Sequence, residues 1–321
     1  MTIPLRTLTS LPPLALVLAC VPEPAGPASR IEVMSFANSE WSAPVNLGAT
    51  INTAANEQGP TLSKDGRTLY FGSDRAGGSG SFDLWVARRA CSDCPWEPPE
   101  NLGPVVNTTA SETGPGLSID EHMLFFTSTR PGGQGLSDLY LSHRANPNDD
   151  FGWEPPVGLG ADVNTAGSEA GAEYLQNAED GAGNLYFNRA PPGGTADIYY
   201  APLTREGETR GPATLVTELS HPTATDQGST LRTDGREIFF FSTRPGGLGG
   251  NDLWTSTRRS IHDPWSTPVN LGTPLNSAAA DQQPGLSSDG RTLVFASSRS
   301  GGFGGTDIYM STRTPSGKEV P

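Results

Sequence analysis

The stretch RPGGLGGNDLW, residues 244–254, decides the fold because variants of it return at a nearly fixed interval. The same arrangement of arginine, glycine loop and Asp-apolar-aromatic ending begins at Arg75, Arg130, Arg189 and Arg299. With Arg244 included, successive copies are 55, 59, 55 and 55 residues apart. Periods near 50 residues are typical of propellers and other repeat arrays. The glycine loop is therefore one part of a larger repeated unit.

Each unit contains four strand signals. It opens with W-x-x-P-x-N-L-G, as in residues 41–48, and reaches an Asp-Gly turn such as Asp65-Gly66, which suits a two-residue hairpin. An apolar run follows, such as residues 69–71, and an unbroken apolar run indicates a strand covered on both faces. The Asp-Leu-Trp ending supplies a third strand and the Pro-x-Asn-Leu segment a fourth, at an edge that tolerates proline. The sequence predicts an all-β protein of four-stranded antiparallel blades over residues 41–313.

The two ends of the repeat region predict how the ring closes. The first unit begins with a fourth-strand segment, residues 41–48, that has no preceding blade, and the last unit ends after Asp307-Ile308-Tyr309 without one. Pairing these segments leaves no open sheet edge. We therefore expect a five-bladed β-propeller closed by the N-terminal segment, followed by a short tail, residues 314–321.

Composition and charge narrow the partner class. The chain has 321 residues, with 35 acidic and 21 basic side chains and a formal charge of −14. No basic face is evident that could displace counterions from a phosphate backbone, which excludes nucleic acid. A monomer is predicted. The four histidines have no metal-ligand spacing, so neither a metal nor a cofactor is predicted.

The N-terminus predicts export. One arginine precedes a short apolar run that ends in Val17-Leu18-Ala19-Cys20, which resembles a bacterial lipobox. We expect a signal peptide over residues 1–19, lipidation of Cys20, and a tether over residues 20–40. The protein would be anchored to a bacterial membrane by lipid alone, periplasmic or surface-facing. Cys91 and Cys94 have no second cysteine pair to complete a zinc site, so an exported chain favours a disulfide between them.

The full unit resembles a known repeat. The pattern LSxDGRxLYFxSxR–GGxG–DLW is similar to the WD40-like β-propeller repeat of the TolB-type family of bacterial envelope proteins. The resemblance implies a toroid of blades that acts as a non-enzymatic scaffold. It also implies an envelope protein as partner, with a glycan or a peptidoglycan-associated protein as further partners.

Two units depart from the pattern. In the third, Ala172-Glu173 replaces Gly-Pro, Asn188 replaces a serine, and residues 178–183 are expanded. The fourth lacks the opening tryptophan and has residues 212–219 in its place. Any function carried by these two units is less certain than the fold.

The glycine loop itself is interpreted as structural. Calcium-binding nonapeptides recur every nine residues, and a phosphate loop precedes a helix, whereas this loop precedes a strand. An arginine ends one strand and an aspartate begins the next, so a charge-assisted pair across the loop base is expected. The predicted pairs are Arg75–Asp83, Arg130–Asp138, Arg189–Asp197, Arg244–Asp252 and Arg299–Asp307.

One carboxylate per unit precedes the innermost strand. In a propeller these five side chains would lie near one mouth of the channel, where mutual repulsion favours a cation, a cationic partner group or raised pKa values. The alternative, which we favour, is that each caps a turn or pairs with an arginine. The five residues are Glu57, Glu112, Glu169, Asp226 and Asp281.

An alternative function is a carbohydrate-active propeller, a lectin or a glycoside hydrolase, that uses these carboxylates as acid and base. Catalysis needs unlike groups in unlike environments, so catalytic residues should interrupt the repeat. Glu173, Tyr174 and His221 interrupt it, but the sequence gives them no evident partner. No residue is therefore assigned as catalytic.

Overall fold

The computed structural model describes residues 34–35, 40–176, 182–315 and 317–318. These residues form five four-stranded antiparallel sheets and one two-stranded ribbon. The predicted all-β, five-bladed propeller is confirmed. Over the same ranges, no helix is long and apolar enough to cross a membrane. The predicted signal peptide, Cys20 and most of the tether and tail lie outside the described residues.

The strands recur in the same order in every blade. The innermost strands are Glu57–Leu62, Glu112–Leu117, Ser168–Gln176, Asp226–Leu231 and Asp281–Leu286. The second strands are Thr68–Ser73, Met123–Ser128, Gly183–Ala190, Glu237–Ser242 and Thr292–Ser297. The third strands are Asp83–Arg88, Asp138–His143, Asp197–Leu203, Asp252–Thr257 and Asp307–Thr312. The outer strands are Glu100–Asn101, Val157–Gly158, Thr214–Leu215, Val269–Asn270 and, for blade five, Val45–Asn46.

Blade five is completed by the N-terminal segment, as predicted. Asn46 is opposite Tyr309 in the sheet, and an isolated bridge joins Trp41 to Arg313. The ring of Trp41 meets Phe239 of blade four edge-on at 5.9 Å. Beyond this closure, Met34–Ser35 pairs with Gly317–Lys318 as a separate ribbon.

The core lies between blades rather than inside any one of them. The apolar runs of the second strands are covered on both faces, and Phe71, Phe125, Phe240 and Phe295 are fully buried there. Each core cluster draws residues from neighbouring blades: Phe125 of blade two, for example, shares a cluster with Leu185 of blade three. Burial against both neighbours explains why these runs show no polar alternation.

Three of the four glycines in residues 244–254 each meet a separate steric requirement. Gly246 has a φ of +98°, which favours glycine. A Cβ on Gly247 would lie 2.0 Å from Oδ2 of Asp252. A Cβ on Gly249 would lie 2.0 Å from the carbonyl oxygen of Ala279, which precedes the innermost strand of blade five. The loop is therefore a joint between one blade and the next.

A second repeated device stabilises the outer part of each blade. Arg258 stacks on Trp265 with its guanidinium carbon 4.1 Å from the ring centre, and its Nε donates to the carbonyl of Gly235 in the Asp-Gly turn (2.6 Å). Equivalent stacks join Arg89 to Trp96, Arg144 to Trp153 and Arg313 to Trp41.

Blade three lacks this stack. The bridge that joins Arg144 to Trp153 in blade two joins Leu203 to Thr209 in blade three. The opening tryptophan and the arginine beneath it are thus replaced together, and Leu203 is fully buried. The sequence analysis placed residues 212–219 where the opening tryptophan segment would be, but the residue at the tryptophan position is Thr209.

Candidate functional site

The five carboxylates before the innermost strands are enclosed within the protein. Glu57, Glu112, Glu169, Asp226 and Asp281 are each 0% exposed. Glu57 accepts hydrogen bonds from the backbone N–H and the hydroxyl of Thr53 (2.9 and 2.7 Å), from the hydroxyl of Ser73 (3.1 Å) and from Nη2 of Arg75 (3.0 Å). A carboxylate satisfied in this way caps a turn and pairs with an arginine, so its oxygens are not open to a ligand.

The same arginine pairing recurs in all five blades. The other ion pairs are Arg130–Glu112 (3.3 Å), Arg189–Glu169 (3.0 Å), Arg244–Asp226 (2.5 Å) and Arg299–Asp281 (2.6 Å). Each arginine also donates to a backbone carbonyl, as Arg75 does to Ile51. The ring is thus a repeated internal support and not a channel-mouth charge cluster.

These contacts correct the predicted loop pairs. The arginines pair with the inner carboxylates, and Asp83, Asp138, Asp197, Asp252 and Asp307 do not serve as their partners. Asp83 instead accepts hydrogen bonds from the backbone N–H of Gly80 (3.0 Å) and from Nδ2 of Asn101 (2.8 Å). The physical reason is that a tight glycine loop directs free N–H groups at the aspartate, which needs no arginine. Asp197 follows a glycine loop of different sequence, Pro192-Gly193-Gly194. Burial, followed by the nearby charge of Asp226, raises the pKa of Asp197.

The central channel contains two connected cavities. The mouth pocket, on the side of the Asp-Gly turns, has a volume of about 320 Å³. The inner cavity, deeper in the channel, has a volume of about 80 Å³. Glu173 and Thr61 line both, so they mark the boundary between them.

Glu173 occupies a position that is small or uncharged in every other blade. It is opposite Tyr186 in the sheet, as Thr61 is opposite Tyr70 and Thr230 opposite Phe239. Gly116 and Gly285 are the remaining equivalents. This register corrects the sequence alignment: Gly171-Ala172 takes the place of Gly-Pro, and Glu173 follows that pair.

The environment of Glu173 favours a neutral carboxyl. The side chain is half-buried, and the Thr230 hydroxyl donates to its Oε1 at 3.4 Å. Burial raises the pKa of Glu173 to about 8, against the lowering effect of hydrogen bonds from the Leu231 backbone and from Thr230. In the two cavities lined by described residues, Glu173 is the one carboxyl group.

Three further residues line the inner cavity; the sequence analysis noted one of them, Asn188, in the wrong register and missed the other two. In the other four blades a serine lies opposite the inner carboxylate, but in blade three Arg189 lies opposite Glu169. Asn188 therefore aligns with the residue before that serine, which is Gly72, Thr127, Phe241 or Ala296. Ser229 stands where three other blades have proline, and Gln283 where four have glycine. Aligning the units by strand register instead of by motif letters would have placed Asn188 correctly and found Ser229 and Gln283.

Tyr174 and His221, the other residues that interrupt the repeat, have structural contacts. Tyr174 stacks on Phe125 at 5.7 Å and donates its hydroxyl to the carbonyl of Thr204 (3.3 Å). The backbone N–H of His221 donates to Asp226 (2.7 Å), and the ring accepts from the backbone N–H of Thr223 (3.3 Å). Among the described residues, no group of three His, Cys, Asp or Glu side chains could hold a metal ion.

A larger cleft of about 1290 Å³ lies at the seam between blades four and five. Arg313, which lines it, donates to both oxygens of Glu237 (2.9 and 2.7 Å) and stacks on Trp41 at 4.6 Å. These contacts close the ring. The channel is the better candidate, because among the described residues it holds a carboxyl group that interrupts the repeat, Glu173, and a buried hydroxyl without a hydrogen-bond partner, on Ser229.

The cysteines form the expected bond. Cys91 and Cys94 are joined, with their Cα atoms 5.0 Å apart, in the loop between the third and outer strands of blade one. The bond lies outside the channel cavities and contributes nothing to them.

The fold is similar to that of several solved glycoside hydrolases. The α-L-arabinofuranosidase from Lactobacillus brevis has 14% identity and a TM-score of 0.57 over 85% of this chain and 97% of that chain. A GH43_1 enzyme from Xanthomonas citri has 16% identity and a TM-score of 0.57 over 84% and 90%. A GH62 hydrolase solved with xylotriose has 11% identity and a TM-score of 0.56 over 85% and 97%. No family model and no curated protein matches the chain.

These findings correct the family prediction. Assignment to the WD40-like TolB-type family, and with it the protein-binding scaffold, is wrong: no family model supports it, and the similar structures are family 43 and 62 glycoside hydrolases. The Asp-Gly turn, the apolar run and the glycine loop form the blades and join them to one another. These motifs therefore indicate a propeller fold and not a particular family. At such low identity, the similarity itself establishes only the fold.

Proposed function

We propose that the protein is a carbohydrate-binding propeller whose sugar site is the mouth pocket. The observation that carries the proposal is Glu173, a single carboxyl group placed in the channel by the blade that departs most from the repeat. The similarity of the fold to sugar-processing propellers supports the same class of ligand.

The chemistry of the mouth pocket suits a sugar. Its polar lining includes hydroxyl groups from Thr61, Ser118, Thr230 and Ser288, together with the Lys64 ammonium group, the Gln176 amide and the Glu173 carboxyl group. Its apolar lining comes from leucines of the innermost strands. Ligand sites typically combine apolar walls with a few convergent polar groups in at least about 300 Å³, and this pocket matches that description.

Binding is proposed in preference to hydrolysis. Glycosidases use two carboxyl groups about 5–10 Å apart, one on each side of the scissile bond. Among the described residues that line the channel cavities, Glu173 has no second carboxyl group beside it, and the five inner carboxylates are bound to arginines. Glu179 and Asp180 lie outside the described residues.

Titration of the full chain with a panel of sugars tests the proposal. Isothermal titration calorimetry and saturation-transfer NMR with arabinose, xylose, glucose, galactose and N-acetylglucosamine should detect saturable binding of at least one sugar. Glu173→Gln should weaken that binding about tenfold, because it alters a hydrogen-bonding group at the base of the pocket. Glu218→Gln changes an exposed carboxylate between blades three and four and serves as the matched control.

Three results would contradict this function. One is that no sugar in the panel binds. A second is that Glu173→Gln and Glu218→Gln leave the affinity equally unchanged. A third is release of p-nitrophenol from an aryl arabinofuranoside at a rate that Glu173→Gln abolishes, which would make the protein a hydrolase.

We propose further that the protein acts outside the cytoplasm, anchored through Cys20. The Cys91–Cys94 bond fits an oxidising compartment. Metabolic labelling with palmitate should mark the wild type and not Cys20→Ser. Equal labelling of the wild type and Cys20→Ser would contradict the proposed lipid anchor.

A further inference from the structure

The inner cavity is built by four residues that break the repeat. Glu173, Asn188, Ser229 and Gln283 come from blades three, four and five and line one cavity of about 80 Å³. Their equivalents in the intact units are mostly glycine, proline, alanine and threonine. Residues that recur in every blade are explained by construction, whereas these four are not.

Three side-chain amides line this cavity, those of Asn188, Gln227 and Gln283, and hydrogen bonds hold the first and the last with the nitrogen as an open donor. Oδ1 of Asn188 accepts from the backbone N–H of Gly228 (3.2 Å), and Oε1 of Gln283 accepts from the backbone N–H of Gly59 (3.1 Å). These bonds fix the orientation of each amide, so the nitrogen, and not the oxygen, remains open. Within the described part of the chain, no hydrogen bond uses either amide nitrogen.

Ser229 supplies an independent observation. Its side chain is 6% exposed, it lines the inner cavity, and its Oγ has no hydrogen-bond partner among the described residues. A buried hydroxyl without a partner destabilises the fold, and native proteins seldom leave one unless something else satisfies it.

Gln283 is also held in a strained backbone conformation. Its φ is +52°, where its four equivalents are glycines with φ between +56° and +64°. A residue with a Cβ is less stable in this region than glycine, because the Cβ lies too close to the following carbonyl oxygen. Strain of this kind persists at sites where the side chain has a role.

The donors define the ligand group. No lysine or arginine of the described ranges lines the cavity, so a carboxylate, phosphate or sulfate would be buried there without a countercharge. Two amide nitrogens and a hydroxyl fit a neutral carbonyl oxygen, and the Glu173 carboxyl can accept an N–H. Ala172, Pro284 and the ring of Phe241 add apolar wall beside them, which fits a methyl group.

We infer that the inner cavity binds the acetamido group of an N-acetylated amino sugar whose ring occupies the mouth pocket. The carbonyl oxygen accepts from Asn188, Ser229 and Gln283, the N–H donates to Glu173, and the methyl group contacts the apolar wall. This inference rests on the proposed sugar site and specifies its ligand class. A hydroxymethyl group would leave most of these donors without partners.

Comparison of three sugars tests the ligand class. The full chain is titrated calorimetrically with N-acetylglucosamine, glucosamine and glucose. N-acetylglucosamine should bind about tenfold more tightly than the other two, because only its acetamido group satisfies the open donors.

The other blades supply the variants. Asn188→Thr keeps an acceptor for Gly228 but removes the amide nitrogen, Ser229→Ala removes the hydroxyl, and Gln283→Gly restores the glycine of the other units. Each should lower the affinity for N-acetylglucosamine about five- to tenfold and leave that for glucose unchanged. Gln283→Gly should melt at or above the wild-type temperature, which separates lost binding from lost folding. Gln282→Thr, next to the cavity but not lining it, is the control and should change neither.

The outcomes separate the two proposals. If sugars bind but the acetamido group gives no preference, or if the variants weaken glucose equally, the inner-cavity inference fails and sugar binding stands. If no sugar binds, free acetamide is titrated while the side-chain amide signals of Asn188 and Gln283 are observed by NMR. Saturable shifts would then retain an amide-binding cavity without a sugar site, and unchanged signals would overturn both.

Discussion

Blade two and blade three are neighbours with the same strand order and different contents. Blade two keeps the Arg144–Trp153 stack and a glycine at the channel position, Gly116. Blade three has Leu203 and Thr209 in place of the stack, longer inner strands, and Glu173 in the channel. The residues that recur across the blades support the ring. Blade three, in which some of these residues are replaced, supplies the carboxyl group in the channel.

The largest expected effect breaks the internal support that the two blades have in common. Glu112→Ala in blade two removes a fully buried carboxylate and leaves Arg130, Thr108 and Ser128 without their partner. Removal of one member of a buried ion pair costs about 3–5 kcal/mol. Urea unfolding should show this loss of unfolding free energy.

The same substitution in blade three should cost less. Within the described part of the chain, the Glu169 carboxylate has Thr165 and Arg189 as partners and no serine hydroxyl. A Glu169→Ala variant that unfolds earlier than Glu112→Ala would contradict the view that blade three is the less tightly supported blade.

A medium effect is expected at the joint between blades. Gly249→Ala places a methyl group 2.0 Å from the Ala279 carbonyl oxygen, so the joint between blades four and five must move. A loss of about 2–3 kcal/mol is expected, from the overpacking range for well-packed sites. Thermal melting measures it.

Gly250→Ala is the matched control for the joint. A Cβ at Gly250 meets nothing within 4 Å, so this neighbouring change should stay within about 0.5 kcal/mol of the wild type. Equal melting temperatures for the two variants would show that the close approach does not constrain the loop.

The smallest effect concerns pH and the channel carboxyl. The folded-state pKa of Glu173 is about 8, above its ordinary value of 4.5. The contribution of protonated Glu173 to the free energy of unfolding is fully present below about pH 4.5. It is lost as pH rises to about 8, because the folded protein keeps a proton that the unfolded chain releases. The free energy of unfolding of Glu173→Gln should therefore rise relative to that of the wild type between pH 5 and pH 9, by on the order of 1–2 kcal/mol.

Melting temperatures across this pH range measure the difference between Glu173→Gln and the wild type. Glu218→Gln should show no such trend. A constant difference between Glu173→Gln and the wild type would mean that the channel does not hold Glu173 neutral.

Much of the fold was readable from the repeat, because the period, the apolar runs and the unmatched ends each follow from one repeated unit. The loop pairs were not. Arg75 lies between Glu57 and Asp83 in the sequence, and the sequence does not show with which of the two carboxylates the arginine forms an ion pair. A fully buried carboxylate needs the cation, whereas glycine-loop N–H groups satisfy Asp83.

The candidate site was only partly accessible from sequence. Glu173 was singled out because it interrupts the repeat, but its register was misplaced by one position. Asn188, Ser229 and Gln283 meet across the seams between blades, and no spacing along one unit reports a contact with the next.

Blade five is assembled from the two ends of the chain. Nδ2 of Asn46 donates to Oδ2 of Asp307 at 2.8 Å, across 261 residues of sequence. Contacts so distant in sequence slow folding, because loop-closure entropy must be overcome before they form. Four blades can therefore be complete during synthesis while the fifth waits for the last strand to emerge, and until then both terminal edges stay open to other chains.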